Sequence, residues 1–210
     1  MVVEKGSGQS FCNLVAQEMF RPLGMTNTGC DDPGVILKQR ASGYTRINET
    51  LTNATYVDMR FANGDGSIYS TLDDLLLWDR ALGSNRLLNT TTTDRLFTPV
   101  RNDYGYGWWI QTKVNHKAEW HGGNVSGFVS QITRFPDEQL FIAVLSNVWS
   151  NADRSQVRAI SNELSAIAFG ESYELPRKHA EIKIDPKAYD AYVGEYRGKE
   201  AFAIARDGGR

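Results

Sequence analysis

Between Tyr104 and Asn147 the chain carries four strand-like runs separated only by short turns. No other stretch constrains its fold as strongly. The runs are Tyr104–Gln111, Lys117–His121, Phe128–Phe135 and Leu140–Asn147. The third alternates in side-chain character, and the fourth is an apolar block closed by Ser146 and Asn147. Connections this short cannot carry the crossover that parallel neighbours need, so the runs predict an antiparallel meander. Inside it lies an anomaly, Trp120-His121-Gly122-Gly123-Asn124-Val125-Ser126-Gly127-Phe128. Glycine within a strand pattern marks close approach of another backbone or of a ligand. Histidine is the side chain most readily poised for proton transfer near neutral pH. The stretch therefore reads as one wall of a pocket. The plainer alternative is a tight bend with a hydrogen-bonded His at its start.

Helical patterns flank the meander. Phe11, Leu14, Val15, Met19 and Phe20 recur at helical spacing over residues 9 to 20, with Ser10 as N-cap and Arg21-Pro22-Leu23-Gly24-Met25 as the stop. Residues 26 to 64 are rich in Thr, Asn, Asp and Gly and read as a long irregular excursion, a kind of loop that usually serves a site. The cluster Asn63-Gly64-Asp65-Gly66-Ser67 predicts a sharp turn. Ser70 or Thr71 then caps a helix bearing Leu75, Leu76, Trp78, Ala81 and Leu82 and ending at Gly83. Residues 86 to 98 read as a shorter helical piece, and 152 to 168 as a longer helix. Pro136-Asp137-Glu138 reads as a turn. The expected class is α+β, helices covering an antiparallel sheet. The main domain is expected over residues 1–175 and a linker over 176–185. Residues 186–210 read as the start of a small, truncated β-domain. In it, 201 to 205 form a strand and Asp207-Gly208-Gly209 a hairpin turn with no returning strand.

Composition excludes several classes. The 210 residues are 41% hydrophobic and 23% charged with a formal net charge of -2, ordinary for a globular domain and without the clustered Lys/Arg of a nucleic-acid footprint. No apolar run is long enough to span a membrane. Met1-Val2-Val3-Glu4-Lys5-Gly6-Ser7-Gly8 lacks the apolar core of a signal peptide. The cysteines, Cys12 and Cys30, have no metal or redox spacing, and their pairing is left open. No metal and no cofactor are expected. Asn-x-Ser/Thr sequons stand at Asn48, Asn53, Asn89 and Asn124, which chance explains as well as glycosylation does. His116 and His179 have no such context and are expected on the solvated surface.

Several segments in order and spacing resemble one family, the serine β-lactamase-like hydrolases: class C β-lactamases, D-alanyl-D-alanine peptidases and related esterases. Glu4-Lys5-Gly6-Ser7-Gly8-Gln9-Ser10-Phe11 and Phe20-Arg21-Pro22-Leu23-Gly24-Met25-Thr26-Asn27-Thr28 are similar to the family's helix and following loop. Gly64-Asp65-Gly66-Ser67-Ile68-Tyr69-Ser70-Thr71-Leu72-Asp73-Asp74 resembles its glycine turn and helix start, and Tyr104-Gly105-Tyr106-Gly107-Trp108 its next strand. His121-Gly122-Gly123-Asn124, followed by Gly127-Phe128, resembles the third active-site motif, Lys-Thr-Gly or His-x-Gly. The resemblance covers about residues 1 to 170.

It implies a fold of β-lactamase or transpeptidase type and a small-molecule or peptide acyl substrate. His121 would orient substrate or handle a proton, and the Asn124 N–H would be half of an oxyanion hole. Gly122 and Gly123 would admit substrate backbone, with Trp120, Tyr106 and Trp108 as candidate cleft residues. The family's other two motifs are Ser-x-x-Lys, which activates the nucleophile, and Tyr-x-Asn or Ser-x-Asn. No Ser in this sequence is followed by Lys at the third position, and neither of the other patterns occurs. Acyl-enzyme chemistry needs an activated nucleophile. The resemblance therefore implies a domain incomplete at its N-terminus and inactive alone, with the missing N-terminal half as partner and its apolar sheet edge uncovered. A non-catalytic ligand-binding module and an inactive truncated product are the competing readings. Family members are commonly exported, which points to an extracytoplasmic location by resemblance alone.

Overall fold

The computed structural model describes residues 2–48, 50–62, 64–84, 86–173, 186–197 and 201–205. The chain divides into two compact units, Met1–Leu175 and Pro176–Arg210.

The first unit opens with a short helix, α1 (Val2–Ser7), that the sequence did not suggest. Helix α2 (Phe11–Val15) starts at Ser10, whose side chain accepts from the Asn13 N–H. It runs through a π-helical turn, Ala16–Phe20, into α3 (Arg21–Leu23). Pro22 does not stop it, because in the first turn of α3 its missing N–H is not needed. Gly24, at φ 74, provides the stop. Helix α4 (Leu72–Leu82) is capped by Thr71, which accepts from the Asp74 N–H. Helix α5 (Thr90–Leu96) is capped by Asn89, so that sequon's side chain is engaged with the Thr92 N–H. Val15, Phe20, Leu23, Met25 and Ala81 form a buried cluster, with Leu77 and Trp78 packed against it, which joins α2 and α3 to α4.

The excursion over 26 to 64 is less irregular than its composition suggests. Strand β1 (Gly29–Cys30) pairs with β4 (Ile68–Tyr69). Strands β2 (Tyr44–Ile47) and β3 (Thr50–Asn53) form a hairpin carrying the exposed sequon residues Asn48 and Asn53. Cys12 and Cys30 are joined by a disulfide that ties α2 to β1.

The expected meander is present, in the order β5-β6-β7-β8 and antiparallel throughout. Its strands are β5 (Trp109–Lys113), β6 (His116–Val125), β7 (Phe128–Phe135) and β8 (Leu140–Ser146). Two boundaries differ from expectation. Residues 104 to 108 are a turn leading into β5. Strand β6 does not bend at its glycines but runs straight through Gly122, Gly123 and Asn124, held by β7. Pro136–Glu138 is a 3-10 turn, as expected of that segment. After β8, β9 (Val148–Trp149) pairs in parallel with β2, and helix α6 (Asn151–Ala168) follows.

Neighbouring residues of β7 attach the two helical layers. Thr133 faces α6, its Oγ1 3.0 Å from Ser161 Oγ. Arg134 faces α4, donating to Asp79 at 2.8 Å. Helices thus cover both faces of the sheet, and Ala118, Phe135 and Ile142 form a buried cluster against which Leu140, Val144 and Phe169 pack.

In the second unit, β10 (Gly194–Arg197) and β11 (Ala201–Ile204) form an antiparallel hairpin. The expected strand at 201 to 205 thus has a partner, which precedes it in the chain. The expected linker, 176–185, lies wholly outside the described residues, as do His179 and the Asp207-Gly208-Gly209 turn.

Candidate functional site

Strand β6 pairs with β5 only over His116–Trp120, but with β7 over Glu119–Val125. From His121 to Val125 its β5 side is therefore open, with no strand partner among the described residues. The turns at the two ends of β6 determine which backbone groups face that side. Val114–Asn115 joins β5 to β6 with both residues at positive φ, 46 and 62, the type I′ geometry of a two-residue hairpin. Lys113 and His116 close that turn and are a hydrogen-bonded pair, and bonding alternates along an antiparallel ladder. His116, Ala118 and Trp120 therefore bond towards β5. At the other end Ser126–Gly127 is closed by Val125 and Phe128, so Val125, Gly123 and His121 bond towards β7. Both ends give the same parity. The N–H groups of Gly122 and Asn124 point out of the open edge.

The glycines of this stretch have reasons inside the fold. A Cβ on Gly122 would lie 2.7 Å from Gln131 Oε1, and one on Gly123 3.1 Å from Ser130 Oγ. Gly127, at φ 82, lets the turn pass against Gly43, whose Cα would be 2.7 Å from a Cβ there.

His121 is half-buried, and its Nε2 lies 3.0 Å from Tyr104 Oη. The phenol can donate to an unprotonated Nε2 or accept from a protonated one. Tyr104 is delivered by a tight turn. It pairs across from Arg101, with Asn102 and Asp103 between them at φ 49 and 60. Trp109 meets the Tyr104 ring edge-on at 4.8 Å. Arg101, Asn102, Tyr104, Trp109 and His121 line an open pocket of about 380 Å³. The arrangement offers a His–Tyr pair able to pass a proton, and outward N–H groups able to hold an oxyanion.

The structure brings some of the expected residues together and not others. His121, Gly122, Gly123 and Asn124 lie along the open part of β6, with Asn124 exposed. Trp120 is 8% exposed, stacks on Trp109 at 5.9 Å and donates its Nε1–H to Gln111 at 3.0 Å. Trp108 is buried against Phe97. Tyr106 is 59% exposed. None of these three lines the pocket around His121. Arg101, Asn102, Tyr104 and Trp109 do; sequence reasoning offered Trp109, through its adjacency to Trp108, as aromatic surface for a cleft and gave the other three no role in the site. The available signal was the Asn102-Asp103 dipeptide, which favours positive φ and so a hairpin turn that sets Arg101 opposite Tyr104. His116 is not simply solvated. It stacks on Phe169 at 3.8 Å, with Nδ1 2.5 Å from Glu138 Oε1, away from the pocket.

Beneath the strand, two residues before His121, Glu119 is buried and accepts from Arg134 at 2.9 Å. Burial pushes its pKa up, against the pull of Arg134 and Lys117. Among the described residues, no three metal-ligating side chains come together, and no helix is long and apolar enough to cross a membrane.

Comparison with known proteins places this geometry. The family model described as Beta-lactamase matches residues 1–166. The chain belongs to that family. Among its relatives, penicillin-binding protein 4* of Bacillus subtilis (strain 168) is 27% identical over 218 residues, which cover 93% of this chain and 48% of the relative. D-aminopeptidase of Gluconobacter oxydans (strain 621H) is 26% identical over 182 residues, covering 84% of this chain and 34% of the relative. The chain thus spans half or less of the length of these relatives. Among solved structures, a penicillin-binding protein from Bacillus halodurans aligns with TM-score 0.64 at 26% identity, over 76% of this chain and 52% of the other. The fold is also that of D-amino acid amidase from Ochrobactrum anthropi SV3, with TM-score 0.70 at 18% identity over 82% of this chain and 55% of the other.

Proposed function

We propose that this chain supplies one wall, His121 to Asn124, of a serine acyl-hydrolase site. The observation that carries the reading is the outward Asn124 N–H on an open strand edge, a short step along the strand from the His121–Tyr104 pair. In this reading a serine hydroxyl attacks the carbonyl of a β-lactam, a D-amino-acid peptide or an ester. The Asn124 N–H donates to the oxyanion as it forms, an interaction worth about 3 kcal/mol or more to the transition state. The serine proton passes to a base on the segment that carries the serine. The oxyanion then collapses, the bond from the carbonyl carbon to nitrogen or ester oxygen breaks, and the leaving atom takes a proton through the His121–Tyr104 pair, the amine staying tethered when the substrate is a β-lactam. Water then adds to the acyl-enzyme carbonyl, and the acid leaves as the serine oxygen regains its proton. The relatives' names, penicillin-binding protein and D-aminopeptidase, support acyl chemistry of this kind.

This sequence holds no Ser-x-x-Lys and no Tyr-x-Asn or Ser-x-Asn. The nucleophile is therefore assigned to a second segment, covalently joined or separate, which is the expected partner. The Cys12–Cys30 disulfide is consistent with folding in an oxidising, extracytoplasmic compartment.

The test is incubation with a chromogenic ester, a β-lactam and a fluorescent penicillin, followed by intact mass. The chain alone is expected to give neither adduct nor turnover, and a covalent adduct on it would overturn the assignment of the nucleophile. Joined to a segment carrying Ser-x-x-Lys and Tyr-x-Asn, it is expected to give an adduct that is lost when that Ser becomes Ala. Absence of any adduct from the joined protein would sink the reading.

A further inference from the structure

We infer that the cleft between α5 and the far end of the sheet is a second binding site, and that it takes a hydroxylated organic amine. The site lies apart from the wall at His121 to Asn124, and the inference does not depend on the hydrolase reading.

Three observations carry it. First, a cavity of about 450 Å³ is enclosed by the end of α4, by α5, by the start of β6 and by the Pro136–Glu138 turn. Leu82, Phe97 and Pro136 give it apolar surface, and the buried Glu119 and Arg134 form its floor. Second, its charges do not balance. The two cations of the lining are already opposed, Arg134 by Asp79 at 2.8 Å and Glu119 at 2.9 Å, and Lys117 by Glu119 at 3.4 Å. Asp94 on α5 and Asp137 on the turn also line the cavity, and among the described residues neither carboxylate has an ion-pair or hydrogen-bond partner. The surplus is negative and suits a cation. Asp94, Glu119 and Asp137 share this cavity, yet among the described residues no three metal-ligating side chains are grouped closely enough to hold an ion. That spacing suits an organic cation, whose charge and body can span it. Third, the Arg134 guanidinium has a donor to spare. Its Nε and Nη1 are engaged, and it is held over the Phe97 ring at 4.9 Å. Among the described residues its Nη2 has no acceptor, although the side chain is only 7% exposed. Nη2 lies 3.8 Å from the place of a Cβ on Gly83, another residue of the lining. A buried donor without an acceptor is costly, and a ligand oxygen that reaches it relieves that cost.

An ammonium group on the Asp94 or Asp137 carboxylate, a hydroxyl accepting from Nη2, and C–H surface against Phe97 use all three features. A carboxylate on Nη2 is disfavoured, because three acids line the same cavity.

The experiment is an NMR titration of the chain, at mildly acidic pH, with glucosamine. Glucose, with hydroxyls and no charge, and cyclohexylamine, with a charge and no hydroxyl, are titrated separately. The signals followed are the backbone amides of Thr93, Asp94 and Lys117, with those of Gly122 and Asn124 as the reference outside the cleft. Glucosamine is expected to bind more tightly than either. Its advantage over glucose should be about fivefold, the scale of a solvent-accessible charge pair, and should shrink with added salt. Asp94→Asn combined with Asp137→Asn should remove that advantage and leave glucose binding as it was. Gly83→Ala places a methyl in ordinary contact with Nη2, at an unstrained φ of -83, and should remove the advantage over cyclohexylamine. Glucosamine bound no more tightly than glucose, or no more tightly than cyclohexylamine, would overturn the inference. So would advantages that survive these substitutions, or shifts at Gly122 and Asn124 in place of the cleft signals. If no compound moves the cleft signals, the second site falls and the hydrolase wall is untouched.

Discussion

Gly127→Ala gives the sharpest test of how the site is braced. Gly127 stands at φ 82, where an added Cβ would meet Ala54 Cβ at 2.7 Å and Gly43 Cα and C at 2.7 and 2.9 Å. Two costs follow. Left-handed backbone in a residue with a Cβ costs about 1–2 kcal/mol. Forcing atoms into an already filled space costs about 1–3 kcal/mol more. Because the obstacles include backbone, no rotamer change relieves them. The expected destabilisation is therefore roughly 2–5 kcal/mol. Gly107 supplies the control. It sits at φ 84, with nothing within 4 Å of a built Cβ, so Gly107→Ala meets the first cost alone. The assay is urea unfolding followed by tryptophan fluorescence, with the midpoints of both variants compared with the parent. Equal loss in the two variants would refute the claim that the turn after Asn124 is packed backbone to backbone against the loop at Gly43.

Arg134→Met should cost about 3–5 kcal/mol, because it takes the closer cation from the buried Glu119 carboxylate, leaving it Lys117 at 3.4 Å, and removes the Asp79 partner, each carboxylate now within 3 Å of the guanidinium. Adding Glu119→Gln to it should recover part of the loss, and a loss under about 1 kcal/mol in urea unfolding would count against a buried network. The Lys113 ammonium, desolvated and beside Arg158, has its pKa lowered to about 8 from 10.5. The unfolded chain then binds more protons than the folded one between those values, so stability should rise as pH climbs through that window. Lys113→Met should abolish that rise in a pH series of melting temperatures. Replacing both Cys12 and Cys30 with Ser opens a loop with a sequence separation of 18 and should cost about 3 kcal/mol, read as a shifted unfolding midpoint. Amide exchange along β6 should alternate, fast at Gly122 and Asn124 and slow at His121 and Gly123; uniform protection would mean that the edge is covered.

What the sequence reveals and conceals follows from how far each signal reaches. The caps at Ser10 and Thr71 and the limits of β7 are local matters, set by a hydroxyl beside an N–H or by alternation over a few residues, and they can be read from the chain. The course of β6 through Gly122 and Gly123 cannot, because intrinsic propensity disfavours it and only pairing with β7 enforces it. The β2–β3 hairpin is hidden for a related reason. Thr50, Leu51, Thr52 and Asn53 are all exposed, so no buried face imposes an apolar alternation. The site is legible as a motif, His121 to Asn124, but its lining is not. Trp120 and Trp108 look like cleft residues and are spent on packing, while Tyr104 and Trp109 reach the pocket through a turn whose meaning lies in dihedral angles.

The open edge of β6 also explains how a wall of this kind tolerates change around it. The proposed chemistry depends on the parity of the strand, since shifting the alternation by one residue would turn the Asn124 N–H into the sheet and bring out that of Gly123 in its place. That parity is fixed twice, by the Val114–Asn115 turn through β5 and by the Ser126–Gly127 turn through β7. Lengthening either turn leaves the other ladder to hold the register, so neither loop alone is a point of failure. An insertion between Trp120 and Asn124 has no such protection, because there β6 passes from pairing on both sides to pairing with β7 alone. The β5 and β7 ladders thus set the register of β6 together, and β5, by ending opposite Trp120, leaves the outward N–H groups of Gly122 and Asn124 without a strand partner.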